Sequence, residues 1–98
     1  MESMVNGEAQ TGTWTSDVFQ VGQLDYVQFY AKNITAGTVT FQGSVDNSAW
    51  DSLDPTNLAL TADGFRTARL GNIYVRASGS TTNVTDVFIS GPYVERFT

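Results

Sequence analysis

The sequence predicts an all-β protein: a single antiparallel β-sandwich or jelly roll of about eight short strands, with a flexible N-terminal arm. Three observations carry this expectation. Apolar and polar residues alternate over short stretches, which is the period of a half-buried strand. Turn-forming dipeptides punctuate the stretches at short intervals: Ala36-Gly37, Asp54-Pro55, Asp63-Gly64, Gly71-Asn72 and Gly91-Pro92. No segment sustains a helical period over a dozen positions.

Each element can be justified in order. Residues 1–10 are small and polar and read as the arm; residues 11–98 read as the sandwich domain. Residues 12–21 carry alternating apolar positions on either side of Ser16-Asp17. The strongest strand runs over 23–34, with Val27, Phe29 and Ala31 on one parity and Leu24, Tyr26, Gln28 and Tyr30 on the other. After the Ala36-Gly37 turn, 38–44 alternates with Val39 and Phe41 on one face. Residues 57–65 suggest a short strand and then a hairpin turn at Asp63-Gly64. Residues 65–70 lead to Gly71-Asn72. The next strand, 72–78, points Ile73, Val75 and Ala77 inward and Tyr74 and Arg76 outward. A Ser/Thr/Gly loop at 79–83 precedes the strand 84–90, and the last residues read as an edge strand after Gly91-Pro92.

Ninety-eight residues support one domain with one modest core. The 41% hydrophobic and 15% charged content is that of a chain that folds rather than a disordered one. The formal charge is −5, and the four arginines are scattered, so no basic stripe tracks a phosphate backbone and direct nucleic-acid binding is not expected. Cysteine is absent, so neither a disulfide framework nor thiol chemistry is available. The first residues lack the basic start and apolar run of a secretory leader. No apolar run approaches membrane-helix length, and no membrane association is expected. The chain is expected to work in the cytoplasm, where it is made, or to leave by a route that needs no leader, such as assembly into a particle.

The chemistry of an enzyme is missing. With no His and no Cys, the commonest general base and the softest nucleophile are lacking. The stretch Gly43-Ser44-Val45-Asp46-Asn47-Ser48 does not match a serine nucleophile elbow. No catalytic residue, cofactor or resident metal is expected. Asp46, Asp51 and Asp54 form the densest carboxylate cluster. They lack the spacing of a calcium loop and read better as turn caps. The sequons at Asn33 and Asn83 read as chance in a Thr-rich chain.

The aromatic residues are more informative. Val27, Phe29, Val39, Phe41, Ile73 and Val75 are the expected core, with Trp50 folding back over the sheet end to seal it beside Phe41 and Leu53. Tyr26, Tyr30, Tyr74 and Arg76 project outward. If their strands are neighbours they form one interface patch, joined by Trp14 near the arm, since Tyr, Trp and Arg are favoured at interfaces. The same tyrosines can equally stack against a sugar ring.

Residues 39–53, read as strand, Gly-Ser, hydrophobe, Asp, small turn, Trp and short strand, resemble a recurring pattern in small virion proteins of tailed bacteriophages. Residues 64–91, an Ile-Tyr-Val-Arg strand followed by a Ser/Thr/Gly loop and a Val-rich strand, look like the second half of that pattern. Together they cover about half of the chain. The resemblance implies a capsid decoration (cement) protein, located on the virion surface. Such a protein would bind the major capsid protein and itself, commonly as a trimer, and stabilise the shell without catalysis. The element Ser44-x-Asp46-x-x-x-Trp50 also resembles a turn of discoidin-like carbohydrate-binding sandwiches, although Asn47-Ser48 stands where those turns often carry Asp-Gly. A carbohydrate-binding module or receptor-binding tip is therefore the alternative, and a tail or adaptor component a third reading.

Overall fold

A computed structural model describes residues 1–54 and 56–98. Pro55, half of the Asp54-Pro55 breaker, lies outside the described residues. The described residues form eleven strands: β1 (Glu2–Ser3), β2 (Trp14–Thr15), β3 (Phe19–Val21), β4 (Asp25–Lys32), β5 (Val39–Ser44), β6 (Asp51–Ser52), β7 (Ala59–Leu60), β8 (Gly64–Leu70), β9 (Ile73–Gly79), β10 (Asp86–Ser90) and β11 (Val94–Arg96). The expected eight becomes eleven because β1, β2, β6 and β7 are two-residue pairings too short to show a period.

The strands build two antiparallel sheets packed as a sandwich. The smaller has the order β1-β10-β4-β8. The larger has the order β11-β3-β9-β5-β6, with β2 also pairing β9 and β7 also pairing β5. Among the described residues, β5 and β6 are the only sequence-adjacent strands that bond to each other. Most other connections carry the chain from one sheet to the other. The expected hairpin at Asp63-Gly64 is such a crossing: β7 pairs β5 in the larger sheet, and β8 pairs β4 in the smaller. A turn dipeptide reverses the chain, but it does not specify which sheet receives the next strand.

Alternation fills the space between the sheets. Val27, Phe29 and Ala31 of β4 and Val87 and Ile89 of β10 face Val39 and Phe41 of β5 and Val75 and Ala77 of β9, all buried. At the centre Phe29 and Phe41, one from each sheet, stack with ring centroids 4.2 Å apart and planes 22° from parallel. Ile73 is half-buried and packs on the rim of this cluster. The expected core is thus reproduced at Val27, Phe29, Val39, Phe41 and Val75, with Ile73 peripheral.

The N-terminal segment departs from the expected arm. β1 pairs β10 in register Glu2↔Ile89 and Ser3↔Phe88. Met4 is fully buried, Val5 nearly so, and the Met4 amide donates to the Val87 carbonyl at 2.7 Å. Gln10 and Val84 exchange a pair of backbone bonds. The small polar residues around Met4-Val5 disguise one apolar dipeptide, and burying it draws the segment onto the sheet. Arg96 of β11 reinforces this closure. Its guanidinium pairs with Asp17, bonds Glu2 at 3.2 Å and the Ser3 carbonyl at 2.9 Å, and lies over the Phe19 ring. The open side of the sandwich, between β1 and β11, is bridged by one side chain.

Phe41→Ala is expected to cost about 3–5 kcal/mol, because it empties half of the central stack. For a chain of this size that lowers Tm by tens of degrees, at ~4–8 °C per kcal/mol. Thermal unfolding followed by circular dichroism checks it.

Candidate functional site

Outward parity on the smaller sheet produces a ladder of large side chains. In β4 the outward positions are Tyr26, Gln28, Tyr30 and Lys32, all exposed except the half-buried Tyr30. The strand register sets their neighbours. Tyr30 lies between Phe88 of β10 and Phe65 of β8, Gln28 between Ser90 and Thr67, and Tyr26 beside Arg69. Cross-strand neighbours on one face approach within side-chain reach, so the three rings form a row. Tyr30 stacks on Phe65 at 4.5 Å and on Phe88 at 5.9 Å, with interplanar angles of 22° and 18°. Phe65 is 54% exposed, Tyr26 64% and the adjoining Leu24 56%. A single exposed ring needs no explanation, whereas a stacked row with two further exposed apolar neighbours is a candidate contact surface.

The larger sheet turns a different surface outward. Tyr74 of β9 meets the exposed Phe97 edge-on at 4.8 Å. Arg76 lies 4.3 Å from the Trp50 ring centroid, and its Nε donates to Gln42 Oε1 at 2.7 Å. Burial pulls the Arg76 pKa down, yet an arginine stays charged. The single patch of Tyr26, Tyr30, Tyr74 and Arg76 expected from the sequence is therefore split. β4 and β9 belong to different sheets, and their outward positions point away from each other.

The two tryptophans exchange their expected roles. Trp14 is only 8% exposed and belongs to the core, where its Nε1 donates to the Thr82 carbonyl at 3.0 Å. Its ring packs against β9 at Gly79, where a Cβ would come within 2.7 Å of Trp14 Cε2 and Nε1. Only glycine leaves room for it. Trp50 does not seal the core beside Phe41. It is half-buried on the outer face, over Arg76.

The loop before Trp50 explains this placement. Asp46 Oδ1 accepts hydrogen bonds from Ser44 Oγ at 2.9 Å, from the Ser48 amide at 2.9 Å and from the Ala49 amide at 3.0 Å. Asn47 takes a positive φ of 58°, a conformation Asn tolerates. The capped turn returns the chain along β5 as β6, and Trp50 arrives on the solvent side. Bonds from the backbone of Ala49 and Ser48, and from the Ser44 hydroxyl, hold the Asp46 carboxyl below its ordinary value of 3.8. Bonds from the Asn57 side chain and backbone likewise lower Asp54. These two aspartates act as turn caps. Among the described residues no group of three His, Cys, Asp or Glu side chains is placed to hold a metal ion. An open cleft of about 300 Å³ beside this loop is lined by Gly43, Val45, Leu53 and Ile73 among others and is mainly apolar. Ser44, Asp51 and Ser52 are its polar lining.

No protein-family model, curated protein or solved structure matches the chain. The aromatic row stands as the candidate site. Sequence reasoning placed Tyr26 and Tyr30 on it and missed Phe65 and Phe88. Phe88 was recoverable, since it alternates with Val87 and Ile89; Phe65 was hidden by the hairpin reading of Asp63-Gly64.

Two outcomes follow from this geometry. Trp14→Ala is expected to cost about 3–5 kcal/mol and Trp50→Ala about 1 kcal/mol or less, as measured by urea unfolding. The Asp46 cap contributes fully above the ordinary carboxyl value of 3.8 and is lost as pH falls through the depressed value in the folded protein. The Ser48 and Ala49 amide resonances are therefore expected to titrate with a midpoint below 3.8. A midpoint at or above 3.8 contradicts the capping role.

Proposed function

We propose that this chain is a non-enzymatic structural protein that works by protein–protein contact. The specific reading is a capsid decoration (cement) protein of a tailed bacteriophage, seated on the outer shell against the major capsid protein and acting as a homo-oligomer. The observation that carries this is the row Phe88–Tyr30–Phe65 with exposed Tyr26 beside it, on the outer face of a rigid sheet. Aromatic anchors of this kind gain contact area at low entropy cost and dominate interface energetics. The resemblance of residues 39–53 and 64–91 to phage virion proteins supports a capsid protein as the partner.

The ring geometry favours a protein partner over a sugar. A sugar stacks on an open ring face. Both faces of Tyr30 are taken, one by Phe65 and one by Phe88, so its edge and hydroxyl are what it offers to solvent. A shell does not require each contact to be strong, because many copies on one lattice act together.

The purified protein is expected to co-sediment with undecorated shells of a tailed-phage major capsid protein, and to raise their disruption temperature. Tyr26→Ser and Phe65→Ser are each expected to weaken that association at least about tenfold while leaving the melting curve near wild type. Retention on a glycan array with no shell binding overturns the reading in favour of carbohydrate recognition.

A further inference from the structure

Sheet edges are liabilities, and folded proteins keep them short or covered. Three of the four edges of this sandwich obey that rule among the described residues. β1 has two residues, β11 has three, and the far side of β5 carries only the two-residue β6 and β7. The fourth edge is β8, a strand of seven residues from Gly64 to Leu70 that pairs with β4 alone. Its unpaired side is a template for one more antiparallel strand.

We infer that β8 pairs with β8 of a second copy across a two-fold axis at Thr67, joining two four-stranded sheets into one of eight strands. The occupant is read from the strand itself. In an antiparallel self-pairing whose two-fold axis is perpendicular to the sheet, opposed residues share a face, so one residue must sit on the axis. An axis at Arg66 sets two guanidinium groups directly opposite each other, which is repulsive. An axis at Ala68 leaves Gly64 and Phe65 opposite residues beyond the strand end. An axis at Thr67 pairs all seven positions.

In that register the pairs complement one another. Thr67 meets its own copy, a favourable cross-strand combination. On the outer face Phe65 of each copy lies opposite Arg69 of the other, the pairing of a cation with a ring. Arg69 makes no ion pair or side-chain hydrogen bond within the chain among the described residues, so it is available for this contact. On the inner face Gly64 stands opposite Leu70, and Ala68 opposite Arg66, small against large at every pair. Arg66 Nη1 donates to the Phe65 carbonyl in the single chain. That contact is solvent-exposed and exchanges readily for a strand bond.

The axis also keeps both outer faces on one side. The aromatic rows of the two copies then lie side by side, linked by Phe65 and Arg69, as one face of doubled width. The pairing is two-fold, in place of the trimer the phage resemblance implies, and it rests on the edge strand rather than on the capsid reading.

The chain has no cysteine, so a single introduced thiol reports on the axis. Light scattering of the wild-type protein up to the hundred-micromolar range is expected to give twice the chain mass. Thr67→Cys is expected to oxidise to a covalent dimer. Thr40→Cys, on the opposite sheet, is expected to remain monomeric under the same conditions. Thr67→Lys places like charges on the axis and is expected to halve the observed mass while keeping the β circular dichroism, with a melting temperature that matches the wild type once the latter is diluted to monomer. A wild-type monomer at every concentration, or an unchanged mass in Thr67→Lys, overturns the inference. Neither experiment involves a capsid, so its failure is separate from failure of the cement reading.

Discussion

The stack of Phe29 on Phe41 is the contact on which the rest of this fold depends. It is the point where the two sheets touch ring to ring at the centre of the core. A chain of this length buries a modest fraction of its surface and has no second core to fall back on. There is no disulfide to restrict the unfolded state. Everything else is arranged around keeping those two rings opposed: Val27 and Ala31 on either side of Phe29, Val39 before Phe41, and Val75 and Ala77 on the neighbouring strand. Trp14 then closes one end over Gly79, with its single polar atom satisfied by the Thr82 carbonyl. The buried Thr82 hydroxyl in turn shares its proton between the Thr38 and Ser80 carbonyls.

The parity of the main strands was legible because it is a local property. Whether Phe29 and Tyr30 face opposite ways is decided by the pleat, and alternation records it directly. The pairing of strands was not legible. Ala36-Gly37 and Asp63-Gly64 each announce a turn, but in both places the chain leaves one sheet for the other. That choice depends on contacts between residues far apart in sequence. The tryptophans show the same limit. Residue type favours burial for both. What distinguishes them is a glycine sixty-five positions from Trp14 (Gly79 against 14) and, for Trp50, a capped turn that returns the chain on the solvent side. The candidate site was half legible for this reason: Tyr26 and Tyr30 share a strand, while Phe65 and Phe88 reach them only through register.

The two outer faces of the sandwich are finished differently. On the larger sheet the cation of Arg76 is engaged with Trp50 and Gln42, so much of its polar and aromatic surface is satisfied internally. On the smaller sheet the aromatic row is satisfied only by itself. Rings stacked in a row resist rotation, so the shape of this face is already set, and little side-chain entropy is left for any contact to remove.

The closure of β1 on β10, and of Arg96 on Glu2 and Asp17, also orders the folding of this protein in time. Ser3 and its hydrogen-bond partner Asp86 are 83 positions apart, and Arg96 lies 94 positions from Glu2. During synthesis the first strand has no sheet to join until β10 has left the ribosome, and the bridge across the open side waits for β11 after that. Pairings this distant carry a loop-closure cost before any contact rewards it, which makes such topologies slow to fold. Until β10 and β11 have emerged the nascent chain therefore exposes its aromatic strands, and the interval before β11 docks is a period of exposure to aggregation.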